Sequence, residues 1–331
     1  MKPKCRVLCL ESISYDVIRN LDRTKTAVIA SMSPLEVHGP HLPIGQDLME
    51  AYSIARETAE RLAERYMEWS FLLLPPVPVA ADALPKLGSV NFPASTVRDV
   101  AYHLLAPFAR EGFARLAFAS FHGGPRHLCA LEAAAEDLKN DFGVPAVSLM
   151  SAALSRLMDG KFFMGALGNV EGCMMTAEKM VEDRHAGFVE TSLALHLWPE
   201  KVQAGWETLP PSVPEGSDGG SFLFEKTEGE GLLAAAKRAG RTVSSITGVV
   251  KHFRDSTYFG YPAFSSAGAG KALFELLADL SAGIGAELID RGLLMDGHSP
   301  LWRYRTVFLN TVAGRIVDEL QGTYKREPVR A

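Results

Sequence analysis

The sequence predicts an α/β fold in which a mainly parallel sheet is covered by helices on both faces. Two observations carry this. Between residues 26 and 149, short uncharged runs alternate with longer segments whose apolar residues recur at helical spacing. Polar clusters then follow two of those runs directly, and parallel sheets carry their sites beyond the carboxyl ends of their strands.

Taken in order, residues 26–31 (with Ala27-Val28-Ile29-Ala30) form the first strand. A helix from Leu48 to Met67 follows, with Ala51, Ile54, Ala55, Thr58, Ala59, Leu62 and Tyr66 at helical spacing. Asp47 and Glu50 match a D-x-x-E capping signal, so Asp47 can cap that helix, bind a ligand, or do both. Ser70–Leu74 is the second strand. Ser95 or Thr96 caps a helix over Val97–Glu111, which Gly112 ends. Leu116–Ala119 is the third strand. Arg126–Asn140 is a helix with Leu128, Leu131, Ala135 and Leu138 on one face, and Val144–Leu149 is the fourth strand. Such alternation implies right-handed crossovers. Further helices are expected at Ala177–Val181, Leu193–Leu197, Leu232–Arg238 and Lys271–Leu280. Ala282–Leu294 continues the last of these, although Gly283, Gly285 and Gly292 weaken it. The stretch Pro210–Gly220 is a loop or linker. We expect a main domain over residues 1–280 with a loop insertion near 207–222, and a helical C-terminal extension over 281–331.

Composition narrows the function. Of 331 residues, 47% are hydrophobic and 22% charged, enough for a large core. A net charge of -5 without a Lys/Arg block argues against nucleic-acid binding. The apolar stretch Trp69–Ala81 is broken by Pro75, Pro76 and Pro78 and does not read as a membrane span. The four cysteines, at 5, 9, 129 and 173, have no metal-finger spacing and read as reduced thiols. A cytoplasmic protein without a membrane partner is expected.

Candidate chemistry concentrates in Leu35-Glu36-Val37-His38-Gly39-Pro40-His41-Leu42-Pro43, with Asp47 just beyond. Glu36 and His38 are two apart, so in an extended segment they face the same side. His122 follows the third strand, and Glu190 precedes Thr191-Ser192. Singly, each has a bland reading: a structural His at a strand end, or a Glu at a helix start. Together, carboxylates and imidazoles without thiolates suit Zn, Mn or Fe(II).

These motifs resemble the creatininase (creatinine amidohydrolase) family. The resemblance rests on the first box with Asp47, on Phe121-His122-Gly123-Gly124, on His185-Ala186-Gly187 with Glu190-Thr191-Ser192, and on Phe259-Gly260-Tyr261-Pro262 with Ser266-Ala267-Gly268-Ala269-Gly270. It implies a three-layer α/β/α fold, two divalent metal ions (Zn first, Mn or Fe also suited), a small-molecule substrate, and a homo-oligomer such as a hexamer. By that resemblance, Glu36, Asp47 and His122 hold one metal. His38, Asp47 and Glu190 hold the other, with Asp47 bridging. A paired site of this kind generates hydroxide from a bridging water and stabilises a tetrahedral oxyanion. His185 is then the candidate general acid or a support of the metal site, against a structural His at a helix start. His41 orients the loop. Gly123 and Gly124 allow close backbone approach, and they line the substrate site with Phe121 and Phe188.

The chain also departs from the family pattern. Ser120-Phe121-His122-Gly123-Gly124-Pro125 stands where Asn-Gly-His-Gly-Gly-Asn is usual, Phe188 stands in place of an acidic residue, and Gln46 in place of Thr. No Trp lies between Trp69 and Trp198, which disfavours creatinine as substrate. The leading expectation is a metal-dependent hydrolase of a non-peptide C–N bond, of the cyclic amide or formamide type. The alternatives are peptide trimming of the mycofactocin type, inosose-type ring hydrolysis, and a non-catalytic metal-binding protein.

Overall fold

The computed structural model describes residues 7–157, 160–214, 252–253, 255–292, 297–312, 314 and 316. Its elements in chain order are β1 (Val7–Cys9), α1 (Tyr15–Arg19), β2 (Thr26–Ser31), α2 (Gln46–Arg65), β3 (Ser70–Leu73), α3 (Ala94–Arg110), β4 (Arg115–Ala119), α4 (Pro125–Phe142) and β5 (Ala146–Ser148). They continue with α5 (Leu149–Leu157), α6 (Gly160–Leu167), α7 (Ala177–Glu182), α8 (Phe188–Leu197), α9 (Ala267–Arg291) and α10 (Arg305–Phe308). The expected helix at Leu232–Arg238 and half of the expected loop insertion lie outside the described residues.

All five strands are parallel, in the order β1-β3-β2-β4-β5. β2 is buried along its whole length, as a central parallel strand covered on both faces must be. Alternation along the strands divides the core into two layers. On one face Val28, Ala30, Leu72, Leu116 and Phe118 pack with Val97, Ala101 and Leu105 of α3 and with Leu131, Ala134 and Leu138 of α4. Phe118 is fully buried, which stabilises the fold by about 1.5–3 kcal/mol. On the other face Ala27, Ile29, Phe71 and Ala117 meet Thr58 and Leu62 of α2 and Gly285, Leu288 and Ile289 of α9. A Cβ at Gly285 would come within 2.7 Å of Leu62 Cδ1, so Leu62 would have to shift to admit one. The sheet is thus the middle of three layers.

The chain forms two compact units: Met1–Glu36, Asp47–Ala153 and Leu277–Ala331 in one, and Val37–Gln46 with Leu154–Leu276 in the other. The first contains the sheet. In the second, described residues include α6, α7 and α8, an antiparallel bridge from His185 to Phe259, and a small core of Leu42, Ala186 and Ala194 with Val202 and Tyr258 packed on it.

Some boundaries differ from the sequence reading. α2 begins at Gln46, so Asp47 lies inside its first turn and is not its cap; a carboxylate there interacts favourably with the helix dipole. Neither Ser95 nor Thr96 caps α3. Its N-cap is Pro93, with no side-chain capping bond and a φ of -57° that prepares the entry into the helix. Glu190 falls in the first turn of α8, which starts at Phe188 rather than further on. β1, α1, α5 and α6 are additional.

Candidate metal centre

β2 and β4 are parallel neighbours, so the segments leaving their carboxyl ends start side by side. Glu36 comes from the segment after β2, His122 from the segment after β4, and Asp47 from the first turn of α2. Their exposures are 3%, 7% and 1%. His122 Nδ1 lies 3.1 Å from Asp47 Oδ2 and 3.2 Å from Glu36 Oε2. One ligand atom from each residue lies within 4.8 Å of the others.

The chemistry of this trio calls for a cation. His122 Nε2 is 3.0 Å from the Ala81 carbonyl oxygen. A carbonyl only accepts, so Nε2 carries a hydrogen and donates it. In the neutral imidazole Nδ1 then turns a lone pair toward two buried carboxylates. Burial alone would push the His122 pKa down, but the charges and hydrogen bonds of Glu36 and Asp47 outweigh it and raise it well above the ordinary value. A proton on Nδ1 offsets one of the two carboxylate charges. A divalent ion would offset both, held through two oxygens and one nitrogen, a donor set suited to Zn, Mn or Fe(II). Donation of the other ring N–H to a backbone carbonyl is also the usual support of a metal-bound imidazole.

Several neighbours hold this trio. Glu36 Oε1 accepts from the Leu84 amide. His127 Nε2 is 3.0 Å from Ser120 Oγ, which is 3.1 Å from Ser33 Oγ, and Ser33 Oγ accepts from the Phe121 amide. These bonds fix the peptide just ahead of His122. Burial, then the adjacent His122, pushes His127 down to about 3, so it acts as a neutral hydrogen-bonding group. Phe121 is 8% exposed. The two glycines differ: a Cβ at Gly123 would meet nothing within 4 Å, whereas one at Gly124 would fall 2.8 Å from Asp82 Cβ and 2.9 Å from the Ala81 oxygen. Only Gly124 is required by packing.

The second unit brings together His38, His41, His185 and Glu190. His38 Nε2 is 3.6 Å from Glu190 Oε2. The His185 ring lies 4.2 Å from the His38 ring, and its Nε2 donates to the Val37 carbonyl at 2.8 Å. Glu190 also accepts from the Ala186 amide, a contact formed where Ala186 takes a φ of +49°. His41 Nε2 is 2.8 Å from Thr191 Oγ1, and burial followed by the neighbouring His38 and His185 lowers its pKa to about 4. It is a neutral loop-holding group. Gln46 Nε2 donates to the Glu190 carbonyl at 3.3 Å, and Asp47 is the next residue in the chain. Glu36 and His38 are likewise separated only by Val37. Phe188 is fully buried.

The sequence pattern does not reveal Asp183. It accepts from the amides of Phe188 at 2.7 Å and of Val189 and Tyr261 at 3.0 Å, and so caps α8 from outside the helix. A Cβ at Gly187 or Gly260 would run into its carboxylate. An Asp ahead of a Gly and a helical run is the available signal, but its spacing is longer than a usual cap.

The sequence profile of the creatininase family, described as creatinine amidohydrolase, matches residues 11–283. The chain is 25% identical over 281 residues to the mycofactocin precursor peptide peptidase of Mycobacterium ulcerans (strain Agy99), covering 83% of this chain and 90% of that protein. Its fold is similar to that of a Bacteroides fragilis NCTC 9343 protein assigned as a creatinine amidohydrolase, with a TM-score of 0.60, 18% identity, and 87% and 99% of the two chains covered. It is also similar to that of a manganese creatininase, with a TM-score of 0.57, 15% identity, and 86% and 99% covered. With more than half its length matched by the profile, the chain belongs to the creatininase family.

Proposed function

We propose that this protein is a divalent-metal-dependent hydrolase of an amide C–N bond. The convergence of Glu36, Asp47 and His122 carries the reading: two buried carboxylates and an imidazole lone pair directed at one point. His38 and Glu190, 3.6 Å apart, would hold a second ion. Bound divalent ions would acidify a coordinated water and polarise the scissile carbonyl. The chain supplies the rest. Ala81, through Nε2 of His122, fixes the tautomer of that ligand. The contact of His41 Nε2 with Thr191 Oγ1 ties the first histidine box to α8. His185, its Nε2–H held by the Val37 carbonyl, would take a proton from the attacking water at Nδ1 and pass it to the leaving nitrogen.

The leading substrate class is a cyclic amide or formamide, with creatinine disfavoured by the absence of Trp between 69 and 198. Peptide trimming is the second reading, favoured by the similarity to a precursor peptide peptidase. The test is hydrolysis of a panel of cyclic amides, formamides and short peptides by the Zn- or Mn-loaded protein. Turnover of a small amide that is abolished by His122→Ala supports the first reading, and turnover confined to peptides supports the second. No hydrolysis of any panel member by fully loaded protein would contradict both.

A further inference from the structure

Asp82 is one of two non-glycine residues with positive φ among the described residues, at +68°. Backbone strain of this kind persists only where neighbouring contacts enforce it. Here they are explicit. Asp82 Oδ2 accepts from the Arg126 amide at 2.7 Å, and Oδ1 accepts from Arg126 Nε. Arg126 is the second residue of α4, whose N-cap is Gly124 and carries no capping side chain. The carboxylate of Asp82 therefore caps α4 from across the fold and pairs with its guanidinium at the same time. The residue before Asp82 is Ala81, whose carbonyl holds Nε2 of His122. Gly124 lies where these parts cross, with no room for a Cβ.

The same guanidinium reaches further. Arg126 Nη1 donates to the Gly314 carbonyl at 3.2 Å. Residues 298–308 dock along one face of α4. Glu132 Oε1 accepts from the Ser299 amide at 2.9 Å, and His298 Nε2 is 3.3 Å from Glu136 Oε1. This segment lies beyond residue 283, where the family profile ends.

We propose that Asp82 and Arg126 are positioning residues for the metal ligand His122, and that the docked C-terminal segment braces them through the Gly314 carbonyl. The inference rests on the metal-site reading above. The strained turn sets where the Ala81 carbonyl points, that carbonyl sets the tautomer and tilt of the imidazole, and the imidazole sets where Nδ1 meets the ion.

The test loads full-length protein with Co(II) and compares wild type with Asp82→Ala, Asp82→Asn and Arg126→Lys. Readouts are the cobalt d–d spectrum, the Co(II) dissociation constant by chelator competition, and the melting temperature of the metal-free protein. Asp82→Ala should weaken the cobalt site about ten- to a hundredfold and change the band shape. Asp82→Asn keeps an acceptor oxygen and should recover part of both. Arg126→Lys cannot reach Asp82 and Gly314 together, and should give an intermediate spectrum even if Asp82→Ala fails to fold. Folded variants with the wild-type spectrum and affinity would overturn the inference and leave the metal site standing. Wild-type protein that binds no cobalt would overturn both.

Discussion

The residues that matter most here are polar side chains in dry places. Glu36, His38, Asp47 and His122 are legible in the sequence because four ionisable groups crowd the segments that leave two apolar strands. Asp82 and Arg126 are not legible. They stand 44 positions apart, and only the folded chain brings the carboxylate to the helix start. Gly124 is half-legible: its pairing with Gly123 marks a close approach, but packing shows which of the two is needed. Gly124→Ala should disturb Ala81 and His122 together, lowering stability by about 1–3 kcal/mol and weakening metal uptake. Gly123→Ala should do neither; matched melting curves with and without metal check this.

Glu132 gives a second test at this scale. Burial raises its pKa from 4.5 to about 7, with the Ser299 and Ser151 hydrogen bonds only partly opposing. The folded protein therefore holds a proton that the unfolded chain releases near 4.5. Stability falls as pH rises from about 4.5 through about 7, and the loss persists above that. Glu132→Gln should remove it: above pH 7 the variant should melt higher than wild type, by an amount equivalent to about 3 kcal/mol, and the gap should shrink towards pH 4.5. Melting curves across that range decide it.

At the scale of elements, β2 and β4 are readable because buried parallel strands are uninterrupted apolar runs. β1 has three half-buried residues, too few to show a pattern beside the charged start of the chain. Helix starts are read less well because capping partners need not be local. α8 is the clearest case: its cap is Asp183, five residues ahead of Phe188, and the same carboxylate binds the Tyr261 amide far along the chain. Asp183→Ala should cost about 1–2 kcal/mol in denaturant unfolding of the metal-free protein. It should also weaken binding of the second ion, since Glu190 sits in the first turn of that helix. Unchanged unfolding would show that the cap contributes nothing.

Across the whole molecule, the alternation of strands and helices was enough to indicate the layered sheet. The division into two units was not, since composition does not change where the chain passes from Glu36 to Val37 or from Gln46 to Asp47. Glu36 and Asp47, candidate ligands of the first unit, flank the short segment Val37–Gln46 that belongs to the second. No helix among the described residues is long and apolar enough to cross a membrane.

The most direct measurement is the metal content of the purified protein, by elemental analysis, before and after chelation and reloading with Zn or Mn. The account predicts about two ions per chain, largely lost when Glu36→Ala and His38→Ala are combined. Protein that carries no metal, and takes up none when Zn or Mn is added, would contradict it.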